Sequence, residues 1–218
     1  RRCAIFKSLQ EKPETPKIIP GDPEGILASM GIYVFNTEIL VRRLIEDARS
    51  DSNHDFGKDI IPSMIEKDRI FAFDFREGDP GQEGYWRDVG TIDAYFEANM
   101  ELIGVKPDMN LYDQAWPIWT YQDQTPPAKF VFDDDNRRGF AGDSMVSGGC
   151  IISGASVRHS LLFSNVRVNS FTTLEHCIVL PQANIGRNCR IKRAIIEKGC
   201  EIPEGTIIGE NLAEDAKK

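Results

Sequence analysis

Over roughly the first hundred residues, apolar positions alternate between a strand-like and a helical rhythm. Ile26 to Phe35 is rich in apolar and β-branched residues, the pattern of a buried strand. Thr37 offers an N-cap after it, and Ile39, Leu40, Leu44, Ile45 and Ala48 fall on one helical face. Asp55 caps a second predicted helix bearing Phe56, Ile60, Met64 and Ile65, with Pro62 limiting the regularity of its start. Ile5 to Leu9 and Ile70 to Phe75 read as further strands, and Gly78 to Gly84 as a loop. Thr91 then caps a third helix through Tyr95, Phe96, Met100 and Ile103. Strands alternating with helices predict an α/β layer over residues 1–105, with too few strands for a complete sheet.

Residues 106–145 read as a connector, with Pro107, Pro117, Pro126, Pro127 and the turn-forming run Asp133 to Gly139. The three consecutive aspartates there suit a solvated turn better than a cation site, because nothing else converges on them.

From Val146 to the end, residues 146–218, the rhythm changes again. Apolar residues recur at steps of five or six: Val146, Ile152, Val157, Phe163, Val168, Leu174, Val179, Ile185, Ile191, Ile196, Ile202 and Ile208. Almost all are Val or Ile, as strand interiors prefer. Small side chains follow most of them four residues later, at Cys150, Ser156, Thr172, Ala183, Cys189, Cys200 and Thr206. Gly154, Gly186, Gly199, Gly205 and Gly209 fall where sharp corners are expected. A six-residue period predicts a parallel β-helix, a triangular prism of about 18 residues per coil with aliphatic residues inside. Cys150, Cys189 and Cys200 then occupy small inward slots, as packing residues rather than metal ligands.

Composition narrows the function. Lys plus Arg is 26 against 34 for Asp plus Glu, a net charge of −8, which argues against a nucleic-acid scaffold but allows a local basic pocket for phosphates. No apolar stretch reaches the roughly 20 residues of a membrane span, and no secretory signal is recognisable. The 5 cysteines lack zinc spacing and suggest reduced thiols in a cytosolic protein. With Arg1 in place of an initiator Met, the sequence reads as starting part-way through a longer chain.

Three local patterns suggest chemistry. Glu11-Lys12-Pro13 ends a strand-like run; a Lys there suits a phosphate needing one point charge, while Glu suits sugar hydroxyls. An exposed Glu-Lys pair is more often plain surface. Ser29, Gly31 and Tyr33 alternate within the apolar run, where polar groups need partners and Gly31 admits a ligand to the backbone. A core strand with a satisfied hydroxyl fits them equally. In Tyr85-Trp86-Arg87-Asp88-Val89-Gly90-Thr91, Asp88 precedes a Gly-Thr turn opening a helix, where a carboxylate can hold Mg²⁺ against phosphate oxygens or merely stabilise the turn.

These pieces together resemble the bacterial glucose-1-phosphate adenylyltransferase (ADP-glucose pyrophosphorylase) family. The matching segments are Glu11 to Pro13, Leu27 to Phe35, His54 to Asp59, Tyr85 to Thr91, Pro127 to Phe130, Ser147 to Cys150, Arg167 to Phe171, Ile202 to Gly205 and Ile208 to Asn211. The resemblance spans essentially the whole chain. It implies a partial Rossmann-like nucleotidyltransferase region followed by a left-handed parallel β-helix of hexapeptide repeats. It also implies a cytoplasmic enzyme that uses Mg²⁺ to join ATP and glucose 1-phosphate in glycogen synthesis, within a homotetramer, with no nucleic-acid or membrane partner. Glu11, Lys12, Ser29 and Tyr33 match positions that hold the sugar phosphate, and Asp88 a metal-binding carboxylate. Lys198 and Gln182 stand near allosteric positions where the family often has Arg and Glu. The family's Gly-rich, Arg-containing phosphate loop has no match here, so the expectation is that this polypeptide alone is inactive. Two other readings share the β-helix: a hexapeptide-repeat acyltransferase, and a non-catalytic oligomerisation or regulatory scaffold. His54, His159 and His176 stand isolated in the sequence and read as surface or packing residues, although the acyltransferase reading would offer His159 or His176 as its catalytic histidine.

Overall fold

A computed structural model describes residues 3–5, 13, 15–19, 22–73, 75, 84–115, 117–118 and 123–216. The chain divides into two units, Arg1–Trp86 and Arg87–Lys218.

In the first unit, Cys3–Ile5 pairs antiparallel with Phe71–Phe73, and Ile18–Ile19 with Asp22–Ile26. Helix α1, Thr37–Asp47, is capped by Asn36 rather than Thr37: the Asn36 Oδ1 accepts the Glu38 N–H at 3.1 Å. Asp55 caps as expected, its Oδ1 accepting the Gly57 and Lys58 N–H groups at 2.7 and 2.8 Å. It opens a π-helical turn, Phe56–Ile60, which leads into the short α2, Ile61–Met64. Pro62 stands in the first turn of α2, where its missing N–H costs no helical hydrogen bond. Ile60, Ile61 and Met64 are the buried apolar residues among those described in this unit. Arg43 of α1 donates from Nε to Asp68 Oδ2 at 2.8 Å and from Nη1 to Glu46 at 2.6 Å, tying α1 to the chain beyond α2.

The strand expected over Ile26 to Phe35 ends at Ile26. Leu27, Ile32 and Val34 are exposed, Val34 to 99%. A strand needs backbone partners along its edges, and the described residues of this unit supply none beyond Ile26. The segment is instead anchored by rings: Tyr33 stacks on Phe56 at 5.9 Å between centroids, and Phe35 lies 5.8 Å from the same ring.

The second unit opens with α3, Ile92–Glu101, whose cap Thr91 accepts the Ala94 N–H through Oγ1 at 3.2 Å. From Lys129 on, the chain winds into a parallel β-helix. Lys129–Val131 pairs with Ile151–Ser153, and the Asp133–Asp134/Arg137–Arg138 hairpin loops out between them. The consecutive aspartates therefore belong to an exposed hairpin, where Asp133 pairs with Arg138.

Register defines three inward stacks. One is Val146, Leu162, Val179 and Ile196. The second is Ile152, Val168, Ile185 and Ile202, and the third is Val157, Leu174, Ile191 and Ile208 below Ala141. The interior coils are seventeen residues long, with steps of five, six and six, so one side of the prism is a residue shorter than a strict hexapeptide repeat predicts. One coil is shorter again. Between Ile152 and Val157 a residue is missing relative to the coils below, and Ala155 rather than Ser156 fills the small slot as a result. A second expectation shifts for another reason: the five-residue step runs from Val157 to Leu162, as it does from Leu174 to Val179, so Leu162 and not Phe163 points into the core. Gly186 also departs from expectation. It does not turn a corner; a Cβ there would lie 2.7 Å from the Ile202 carbonyl oxygen of the next coil.

Polar atoms inside the prism are satisfied between coils. Thr172 Oγ1 donates to the Gly186 carbonyl at 2.7 Å and accepts the Cys189 N–H at 3.0 Å. Ser160 Oγ donates to the Arg158 carbonyl at 2.7 Å and accepts the Cys177 N–H at 3.0 Å. Among the described residues no buried side-chain nitrogen or oxygen lacks a partner.

The register yields a direct test. Leu162→Ala should lose about 2–5 kcal/mol by cavity formation, whereas Phe163→Ala, at a half-buried position, should lose less; urea denaturation of the two variants gives the order. Acid stability yields a second. The Arg43 hydrogen bond holds the Asp68 carboxyl below its ordinary range. Its contribution is therefore present above the unfolded value of about 3.9 and lost as pH falls through the depressed folded value. Asp68→Asn should reduce amide protection in α1 at pH 7, and its difference from the unsubstituted chain should shrink steadily below about pH 4.

Candidate functional site

The polar residues of the Leu27 to Phe35 segment sit on a turn, not in a buried strand. Gly31 adopts a left-handed φ of 69°, folding the chain so that Ser29 Oγ accepts the Gly31 N–H and lies 3.2 Å from the Tyr33 hydroxyl. Among the described residues nothing lies within 4 Å of the position a Gly31 Cβ would take. Both hydroxyls are exposed and Tyr33 is held by its stack on Phe56. The result is a preoriented hydroxyl pair able to donate to, and accept from, a polar ligand. Glu11 and Lys12 lie outside the described residues.

Asp88 belongs to the second unit, in the turn before α3. Its Oδ1 accepts the Gly90 N–H at 2.8 Å, so the turn-stabilising role is realised, and the carboxylate remains exposed. Among the described residues no group of three His, Cys, Asp or Glu side chains is arranged to hold a metal ion. A single open carboxylate does fit a Mg²⁺ that arrives with substrate phosphates, since this ion keeps waters and takes one or two carboxylates.

Gln182 and Lys198 come together on one corner of the β-helix, in adjacent coils. Gln182 is itself the left-handed corner residue, with φ 66°, and Gly199 in the next coil donates its N–H to the Pro181 carbonyl at 2.9 Å. Lys198 therefore lies directly alongside Pro181, and both it and Gln182 are exposed.

The histidines are not isolated. His54 Nδ1 lies 2.7 Å from Asp47 Oδ2 and 3.1 Å from Ser52 Oγ, and Ser52 donates to Asp47 Oδ1 at 2.8 Å. Serine and aspartate meet the same ring nitrogen, whereas a nucleophilic relay needs them on opposite ones. The trio fastens the turn after α1, and the His54 hydrogen bond, with a smaller contribution from Ser52, holds the Asp47 carboxyl below its usual range. His159 and His176 stack with centroids 5.0 Å apart and planes 5° from parallel. Their seventeen-residue spacing, continued at Arg193, is visible in the sequence but carries no meaning until the coil length is known.

The buried thiols are packing groups. Burial pushes Cys177 up to about 11 and raises Cys150 above its ordinary value.

Two family models match successive parts of the chain. The nucleotidyl transferase family model matches residues 4–104, and that for GlmU-like C-terminal hexapeptide repeats matches residues 126–218. A glucose-1-phosphate adenylyltransferase of Methylococcus capsulatus is 66% identical over 214 residues, 98% of this chain and 50% of that protein. The chain belongs to the glucose-1-phosphate adenylyltransferase family. Glucose-1-phosphate adenylyltransferase 2 of Alkalilimnicola ehrlichii is 59% identical across 96% of the chain, and a Shewanella oneidensis glucose-1-phosphate adenylyltransferase likewise. The chain spans about half the length of these curated relatives. As a family member it combines a nucleotidyltransferase region with a left-handed β-helix of hexapeptide repeats.

The thiol environments predict a labelling order. At pH 8, iodoacetamide should modify the half-buried Cys200 well before Cys150 or Cys177, which should react only on unfolding in urea; peptide mass spectrometry reads the order directly.

Proposed function

We propose that the chain supplies the sugar-phosphate-binding and regulatory part of an enzyme that converts ATP and α-D-glucose 1-phosphate into ADP-glucose and pyrophosphate, toward glycogen. The observation that carries this is the 66% identity extending over 98% of the chain, across both its α/β and β-helical regions. Residues 1–105 are assigned to the catalytic domain, 106–145 to the connector and 146–218 to the β-helix. Glu11, Lys12, Ser29 and Tyr33 hold glucose 1-phosphate. The paired hydroxyls of Ser29 and Tyr33, 3.2 Å apart on an open turn, support that role.

The chemistry asks little of side chains as acids or bases. A phosphate oxygen of glucose 1-phosphate, already anionic, forms a bond to the α-phosphorus of ATP. The bond from that phosphorus to the oxygen bridging to the β-phosphate breaks, and pyrophosphate leaves with the electron pair. No proton need be removed, so Lys12 acts by positioning and by neutralising charge. Asp88 would hold Mg²⁺, which when bound neutralises phosphate oxygens. Lys198 and Gln182 contribute to an effector site. A lysine in place of the family's frequent arginine makes a point contact rather than a fork. The working form is a homotetramer in the cytoplasm.

The exposed apolar residues Leu27, Ile32 and Val34, with Val41 and Ile45 of α1, support a catalytic domain completed by further sequence. The 218 residues also lack the family's Gly-rich phosphate loop. The chain on its own should therefore give no turnover with ATP, glucose 1-phosphate and Mg²⁺ in a pyrophosphate-release assay. Clear turnover would overturn that assignment. Glucose 1-phosphate binding by an enzyme carrying this chain with its amino-terminal half should weaken about tenfold or more in Lys12→Ala, by loss of a charge-assisted contact; unchanged affinity would remove Lys12 from the site.

A second reading, an assembly scaffold, is favoured by the β-helix alone, whose three inward stacks form a core within a single chain. Light scattering with and without ATP tests it, a nucleotide-independent oligomer being its expected result.

A further inference from the structure

The three corners of the β-helix are built differently. Each coil turns through a left-handed residue, a conformation that glycine tolerates best, followed by asparagine and aspartate. One corner uses Gly149, Asn165, Gln182 and Gly199, and another uses Gly154, Phe171, Asn188 and Gly205. The remaining corner uses Asp143, His159, His176 and Arg193, with φ between 45° and 52° and neither glycine nor asparagine among them. Four successive coils thus carry charged or ionisable side chains where the backbone favours glycine, an arrangement that clusters at functional sites.

The row is polar along its length. At one end Asp143 Oδ2 lies 3.6 Å from His159 Nε2, which stacks on His176. At the other end Arg193 makes no ion pair among the described residues. Its neighbours on the same strand do: Arg190 pairs with Glu210 at 2.9 Å and Lys192 with Glu175 at 3.0 Å. The unpaired end also has walls. Helix α3 packs beside it, leaving a cleft of about 350 Å³ lined by Phe96, Glu97, Met100, His176 and Arg193. Phe96 and Met100 are half-buried and Glu97 is exposed at the rim. The volume is that of a small-molecule site.

We infer that this cleft binds a small oxyanion, a carboxylate or a phosphate monoester, carried on a partly apolar body. The Arg193 guanidinium supplies a forked donor and His176 a second donor, both beside apolar surface that strengthens the contact. The hydrocarbon part of the ligand lies against Phe96 and Met100. Glu97 opposes negative charge at the rim and so limits the ligand to low charge. This corner shares no residue with Gln182 and Lys198, and the inference does not depend on which reaction the chain serves.

Calorimetric titration of the 218-residue chain at constant ionic strength tests the site, with sodium benzoate and inorganic phosphate as separate probes. At least one should bind saturably with one-to-one stoichiometry, benzoate alone marking a carboxylate site and phosphate alone a phosphate-ester site. Arg193→Gln should weaken that binding about tenfold or more, His176→Gln should weaken it less, and Glu97→Gln should tighten it. All three side chains are exposed, and far-ultraviolet circular dichroism verifies that each variant keeps the β-helix. Absence of saturation with both probes, or equal affinity in Arg193→Gln and the unsubstituted chain, overturns the inference.

Discussion

The parallel backbone ladder that stacks each coil on the next is the constraint that shapes the second unit. Every coil must return to the same place after a fixed number of residues, so a side chain's direction is decided by its position in the coil. Inward positions meet their own counterparts above and below, and a continuous aliphatic wall such as Ile152, Val168, Ile185 and Ile202 results. Interior hydroxyls are admitted only where they bridge coils, as Thr172 does between Gly186 and Cys189. The core is consequently assembled from local steps repeated along the chain, and each coil needs only its neighbours.

That repetition is why the β-helix is legible from sequence. Aliphatic spacing is set by the coil itself and survives any choice of surface residue. The place of the five-residue step within a coil is not legible. Leu161, Leu162 and Phe163 are all apolar, and an apolar count alone cannot say which of three neighbours faces inward. The ladder decides it, because Leu162 must pair with Val179. Ser156 gives way to Ala155 for a different reason, the residue missing between Ile152 and Val157, after which the regular steps resume at once.

The first unit behaves differently for a physical reason. Caps are local, so Asp55 and Thr91 are identifiable from sequence, and the cap of α1 falls only one position from Thr37, at Asn36. Strands are not local. The apolar run from Leu27 to Phe35 carries a strand's composition, but its backbone groups require partners that its own sequence cannot provide. The segment settles instead into a glycine turn stapled by the Tyr33, Phe35 and Phe56 rings. Ser29 and Tyr33 do form a polar pair, yet their setting is an open turn and not the interior of a sheet.

The corners complete the logic of the β-helix, because they are the positions its core does not dictate. A left-handed φ is all the backbone requires there, and glycine meets it at least cost. A run of other residue types at one corner is therefore not required by the core. Gln182 with Lys198 on one edge, and His159, His176 and Arg193 on another, therefore report on the surroundings of the prism and not on its stability. The second edge carries the stronger argument. His176 and Arg193 face α3 across a cleft, and this arginine is left unpaired among the described residues where the adjacent Arg190 and Lys192 are neutralised. A solenoid of this kind can alter what it binds by changing corner residues while its inward stacks stay fixed, so two edges of one core can serve two ligands independently.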